Sequence, residues 1–113
     1  MKLRIQGNSL RLRLAASEVE ALRTGGRVEE TMRLGPDRLF RYILTTEAEA
    51  SSFAVRFDGR TLMVILPAAE ASGWIETDRV GLEAAIPVGA GEVLRVLVER
   101  DLPCRHGRGA GDG

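Results

Sequence analysis

Asp101, Cys104 and His106 bring three metal-ligating residue types together near the C-terminal end, and Cys104 and His106 are the only cysteine and histidine in the chain. A structural zinc site takes four ligands, normally as two spaced pairs, and here the second pair is missing. Cys104 and His106 lie within the Gly- and Arg-rich stretch 103–113, which carries little apolar content and is expected to be an unstructured tail. A nucleophile and base need a fixed mutual geometry, which such a tail does not supply. Gly89-Ala90-Gly91 falls between two strand patterns rather than before a helix, so it is not read as a phosphate loop. The 16 acidic residues show no spacing that singles out a catalytic pair. The expectation is therefore a non-enzymatic chain, with no catalytic residue, no cofactor and no metal.

The arginines offer a different chemistry. Arg4, Arg11 and Arg13 project from one expected hairpin, on the face opposite its leucines. An Arg-bearing β-ribbon can enter a DNA major groove. Arg41 and Arg95 occupy corresponding strand centres further along, so these five residues are the candidate nucleic-acid contacts. The competing reading is a solvated face laced with cross-strand pairs to Glu29, Glu30 and Glu83. Sixteen basic and 16 acidic residues cancel to a formal charge of zero, which argues against a strong nonspecific grip on nucleic acid.

The elements that must position these side chains follow from periodicity. Leu3 and Ile5, then Leu10, Leu12 and Leu14, alternate with polar residues on either side of Gly7-Asn8, giving a hairpin. Ser17 with Glu20 reads as a capping box, and Gly25-Gly26 closes the helix that follows. Strands at 27–34 and 39–45 flank the turn Gly35-Pro36-Asp37. A linker is expected at 46–51. Strands at 53–57 and 61–66 then flank Asp58-Gly59, a strong hairpin signal. Pro67 opens a second helix that runs to about Trp74 or Ile75. Strands at 79–86 and 92–99 close the pattern.

The order strand–strand–helix–strand–strand thus occurs twice. A shift of 52 lays residues 3–34 over 55–86, matching Arg4 with Arg56, Gly7 with Gly59, Leu14 with Leu66 and Arg27 with Arg79. A two-residue insertion in the last turn restores register, so that Arg41 lies over Arg95. The reading is a tandem duplication: repeat one at 1–45, linker 46–51 and repeat two at 52–100, within a single domain of 1–102. Each half alone is too small to bury a good core. Val19 and Leu22, with their counterparts Ala71 and Trp74, are expected to plug the core between the two halves. Met63 and Ile65 stand where Arg11 and Arg13 stand in the first half, so the two copies would not present equal basic ribbons.

The second half resembles the swapped-hairpin unit of AbrB- and MazE-type bacterial DNA-binding proteins. The resemblance is carried by Gly59, the strand Leu62-Met63-Val64-Ile65-Leu66, Pro67, the helix to Trp74 and Asp78-Arg79-Val80. The first half departs from that pattern, with Ala15 in place of the proline and Gly26-Arg27-Val28 in place of the later step. Over residues 1–104 the chain also resembles a set of small uncharacterised bacterial proteins. These open with stretches like Met1-Lys2-Leu3-Arg4-Ile5 and Gly7-Asn8-Ser9-Leu10-Arg11-Leu12-Arg13-Leu14. They close with one like Leu97-Val98-Glu99-Arg100-Asp101. That second resemblance implies no activity.

The 113 residues, 44% apolar and 28% charged, describe one ordinary globular domain. A lone cysteine allows no intrachain disulfide, and no apolar run approaches the ~18 residues of a membrane span. The expected setting is cytoplasmic, with no membrane partner. The fold class is mainly β (α+β): a small β-barrel or two-sheet domain, swapped-hairpin-like, from two ββαββ repeats. Strand 61–66 is apolar on both faces, which calls for a cover from helices or from a second chain. The leading expectation is a binding or oligomerisation module with a protein partner or self-association. The alternative is a DNA-binding regulator of the AbrB/MazE kind.

Overall fold

The structure, a computed structural model, describes residues 1–101. The chain runs β1 (Lys2–Gln6), β2 (Ser9–Leu14), α1 (Ala16–Gly25), β3 (Arg27–Gly35) and β4 (Arg38–Glu47). It continues through β5 (Ala54–Phe57), β6 (Thr61–Pro67), α2 (Ala68–Ile75), β7 (Gly81–Gly89) and β8 (Glu92–Arg100). The fold is mainly β. Sheet A has the order β1-β2-β8-β7 and sheet B the order β3-β4-β6-β5. Each sheet therefore combines one hairpin from each half of the chain, joined by a parallel pair, β2 with β8 and β4 with β6.

Of the two architectures expected, the barrel is corrected. A closed barrel gives every strand two neighbours, whereas β1 and β7 remain edges of sheet A, and β3 and β5 of sheet B. Three local expectations also change. The first helix is capped at Ala15 rather than Ser17: the Glu18 carboxylate accepts the Ala15 N–H at 2.9 Å. Gly26, at φ 72°, closes it as expected. Strand β4 runs on to Glu47, into the expected linker.

The third correction concerns register. Lys2 faces Arg13 in sheet A as Ala54 faces Ile65 in sheet B, a shift of 52 residues. In the other hairpins Arg27 faces Thr45 as Gly81 faces Glu99, and the register irregularities at Arg33/Gly35 and Pro87/Gly89 match, all at a shift of 54. The turns Pro36-Asp37 and Ala90-Gly91 are of equal length. The two extra residues thus lie between α2 and β7, not in the last turn. Burial gives the reason. Val28 corresponds to Leu82, and both are buried, whereas Val80 is 48% exposed. The parallel pairs follow the same frame. The Arg41 amide donates to the Arg60 carbonyl at 2.9 Å, and the Arg95 amide to the Asn8 carbonyl at 3.0 Å.

Period-two alternation turns Leu10, Leu12, Leu14, Val96, Val98 and Leu82 of sheet A inward, against Val28, Leu44, Leu62, Val64 and Leu66 of sheet B. Helix α1 supplies Val19 and Leu22, and α2 supplies Ala71 and Trp74, to the same cluster. Trp74 is wholly buried and donates from its ring nitrogen to the Val80 carbonyl at 3.1 Å. Burial fades along each inner face from the helices toward the hairpin tips. Leu14 is fully buried and Ile5 is 63% exposed; Leu66 is fully buried and Phe57 is 61% exposed. Near the tips it is the edge strands β1 and β5 that are left uncovered: Leu10 and Leu62, the cross-strand partners of Ile5 and Phe57, stay buried at 7% and 9%.

Candidate functional site

The outer face of sheet A gathers basic side chains from three adjacent strands. Residues 2, 4 and 6 of β1, 9, 11 and 13 of β2, and 95, 97 and 99 of β8 share it, because side chains alternate faces along a strand. Arg4 lies directly opposite Arg11, and Lys2 opposite Arg13. The parallel pairing sets Ser9 against Arg95, Arg11 against Leu97 and Arg13 against Glu99. On β7, Glu83 faces Leu97. Arg4, Gln6, Ser9, Arg11, Glu83 and Arg95 line a concavity of about 180 Å³, with Leu97 among the apolar groups beside them.

Its electrostatics are only partly compensated. The Glu99 carboxylate accepts from Arg13 Nε at 3.0 Å and lies 2.8 Å from Arg13 Nη2, while Arg11 Nε stands 3.7 Å from it. Lys2 Nζ is 3.8 Å from Asp101. Among the described residues, no carboxylate comes within 4.0 Å of Arg4 or Arg95. Like charges directly opposite on neighbouring strands repel, so the Arg4–Arg11 pair costs the free protein something that an anion would relieve.

Four of the five arginines singled out in the sequence, Arg4, Arg11, Arg13 and Arg95, therefore meet on one face. Arg41 does not. It lies in sheet B, 3.6 Å from Glu29. Of the carboxylates expected to neutralise the ribbon, Glu30 binds the N-terminal ammonium at 2.8 Å instead, and Glu99, which was not anticipated, takes that role. Lys2, Gln6 and Ser9 were legible from alternation in β1 and β2. The contribution of β8 depends on a pairing between residues far apart in sequence. Cys104 and His106 lie outside the described residues; Asp101 donates its backbone N–H to the Leu14 carbonyl at 2.7 Å.

The shifted titrating groups of the two halves have structural explanations. Burial works against ionisation of both the Met1 ammonium and Glu18. Their mutual hydrogen bond overrides it, aided by Glu30 for Met1 and by the Ala15 amide for Glu18. The ammonium is thereby held above its ordinary value and Glu18 below. The Tyr42 hydroxyl donates to the Met1 carbonyl at 2.9 Å, and burial raises its pKa. Asp58 is lowered by accepting the Thr61 and Arg60 amides, each at 2.8 Å, as a turn residue does.

A second feature is apolar. Ile5, Met32, Leu34, Phe57 and Val88 are each about half exposed or more, toward the hairpin tips. Ile5 and Phe57 occupy corresponding positions in the two sheets, as do Leu34 and Val88. The apolar outer face of β4 and β6, by contrast, needs no second chain: Ile43 is 2% and Ile65 1% exposed. Ile43 is flanked in register by Glu29 and Met63, and Ile65 by Thr45 and Ala54.

A family model described as a family of unknown function, DUF7009, matches residues 1–112. The chain belongs to DUF7009. No curated protein and no solved structure matches it. Among the described residues of this DUF7009 chain no helix is long and apolar enough to cross a membrane. Nor do three His, Cys, Asp or Glu side chains there gather as a metal ion would require.

Proposed function

We propose that this DUF7009 chain is a non-enzymatic binding module whose apolar opening at the hairpin tips takes a second copy of itself. The apolar ends of the edge strands carry the reading: Ile5 and Phe57 are both more than 60% exposed although their strand positions point to the same face as the buried Leu10 and Leu62. Apolar groups that face inward yet meet water gain most from a partner. An exposed apolar edge can meet the same edge of a second copy across a twofold axis, as an isologous dimer contact requires. The frame itself is read as a tandem duplication of a ββαββ unit with exchanged hairpins, like two AbrB-type units in one polypeptide. The matched registers, irregularities and turn lengths support that reading. A cytoplasmic setting accords with the lone cysteine.

The test is sedimentation of the full chain between about 1 µM and about 1 mM, the range in which weak self-association is visible. A concentration-dependent dimer, lost in an Ile5→Ser/Phe57→Ser variant that keeps its unfolding midpoint, is the expected result. A monomer throughout would remove the reading. A second reading, DNA binding through Arg4, Arg11, Arg13 and Arg95, is favoured by their convergence on one face. It expects duplex binding that weakens tenfold or more between about 50 and about 200 mM salt.

A further inference from the structure

We infer that Arg4, Arg11 and Arg95 form a site for one compact phosphate-type oxyanion on the outer face of sheet A. Three observations converge. The first is the repulsive pair: Arg4 and Arg11 stand directly opposite one another. Glu99, the one carboxylate within 4.0 Å of either among the described residues, is engaged at shorter range by Arg13. The second is shape. These arginines do not splay over a flat sheet but line a concavity of about 180 Å³ together with Gln6 and Ser9. That space is below the ~300–1,000 Å³ of a drug-sized ligand pocket and suits a single small group. Guanidinium groups present parallel N–H donors that match phosphate oxygens, and a side-chain amide and hydroxyl can complete the shell.

The third observation is the internal control supplied by sheet B. The same frame there sets Arg56 where Arg4 stands, Met63 for Arg11 and Arg41 for Arg95. Arg41 is 3.6 Å from Glu29, which corresponds to Glu83. Sheet B thus loses the facing arginine pair and neutralises the third cation. Sheet A keeps all three, and its Glu83 has no cation within 4.0 Å among the described residues. Glu83 closes one side of the concavity with negative charge and so limits the ligand to one anionic group.

This site is independent of the apolar opening, so either can fail alone. It shares phosphate chemistry with the DNA reading, and the ligand can be a free phosphate or a phosphodiester. The experiment titrates inorganic phosphate into the ¹⁵N-labelled full chain at constant ionic strength, following arginine side-chain and backbone resonances. Parallel titrations use chloride and a short duplex. Saturation by phosphate near about 1 mM, with shifts confined to Arg4, Arg11, Arg95 and their neighbours and absent with chloride, is the expected result. Arg11→Met, which installs the sheet B residue, should abolish it. Arg56→Gln should leave it unchanged, and Glu83→Gln should tighten it several-fold. Each variant is exposed or half-exposed, and its unfolding midpoint checks that it folds. Phosphate shifts that never saturate, or that survive Arg11→Met, would overturn the site. Duplex binding that phosphate does not compete would overturn it too, while leaving the DNA reading standing.

Discussion

The outer faces of the two sheets start from one backbone frame and end in different chemistry. On sheet A, Arg11 and Arg13 of β2 are half-buried beside Arg95 and Glu99, and the surface is polar and charged. On sheet B, the same positions carry Met63 and Ile65, and Ile65 with Ile43 is almost fully buried. The inner faces scarcely differ: Leu10, Leu12 and Leu14 correspond to Leu62, Val64 and Leu66, all buried. The core constrains both halves alike, because volume and apolarity there are set by a shared cluster. The outer positions are constrained only by immediate neighbours, so they are where the two sheets can acquire separate roles.

The comparison can be broken most forcefully at the helices. Trp74→Ala should cost about 4 kcal/mol in urea unfolding and Leu22→Ala, its counterpart, about 3 kcal/mol, since both are buried and leave cavities. A loss below about 1 kcal/mol at Trp74 would mean that α2 does not plug the core. Next in size, Ile65→Arg places a charge where the native side chain is 1% exposed and should cost about 3 kcal/mol. The reciprocal Arg13→Ile should cost about 1 kcal/mol, because it removes a partly buried ion pair whose Glu99 carboxylate keeps Arg11 at 3.7 Å. Equal costs for the two would erase the difference between the faces.

A smaller effect distinguishes Gly81 from Arg27, the residues that open β7 and β3. A Cβ on Gly81 would lie 2.5 Å from the Val98 carbonyl oxygen, against backbone that cannot simply step aside. Gly81→Ala should cost about 2 kcal/mol, while Arg27→Ala should stay within about 0.5 kcal/mol. Smallest is the contrast between Glu18 and Glu70. Glu18→Gln should cost about 1.5 kcal/mol through its bond to the Met1 ammonium, and Glu70→Gln, at an exposed position, close to nothing. The Glu18 difference should depend on pH. Because Glu18 is held below its ordinary 4.5, its contribution is complete above that pH and fades as the pH falls further. Because the ammonium is held above its ordinary 8.0, its share is complete below that pH and is lost as the pH rises through the raised value. The difference between the unfolding midpoints of the two proteins should be constant between these limits and shrink beyond each of them.

Much of this was legible in residue order. Alternating leucines announced β2, Asp58-Gly59 announced the β5–β6 turn, and Gly26 ended α1 in the left-handed conformation that glycine tolerates. The placement of the two extra residues was not legible. Arg27 and Val28 match Arg79 and Val80 as letters, yet Val80 is exposed and the core position belongs to Leu82. Identity of type in a short strand is a weaker guide than which face each residue buries. The separation of Arg41 from the other arginines was hidden for a related reason: position along a strand does not reveal which sheet the strand joins.

By itself, the sequence determined what neighbours along the chain decide. Period-two patterns set which face of each strand is apolar, and glycines, proline and caps set where elements begin and stop, because these depend on local sterics and hydrogen bonding. Only the tertiary structure decided that each sheet joins an early hairpin to a late one, that β2 lies beside β8, and that Arg95 therefore joins Arg4 and Arg11. That contact spans more than 80 residues of sequence. It is fixed when strands distant in sequence bury one shared core, and no local pattern carries that information.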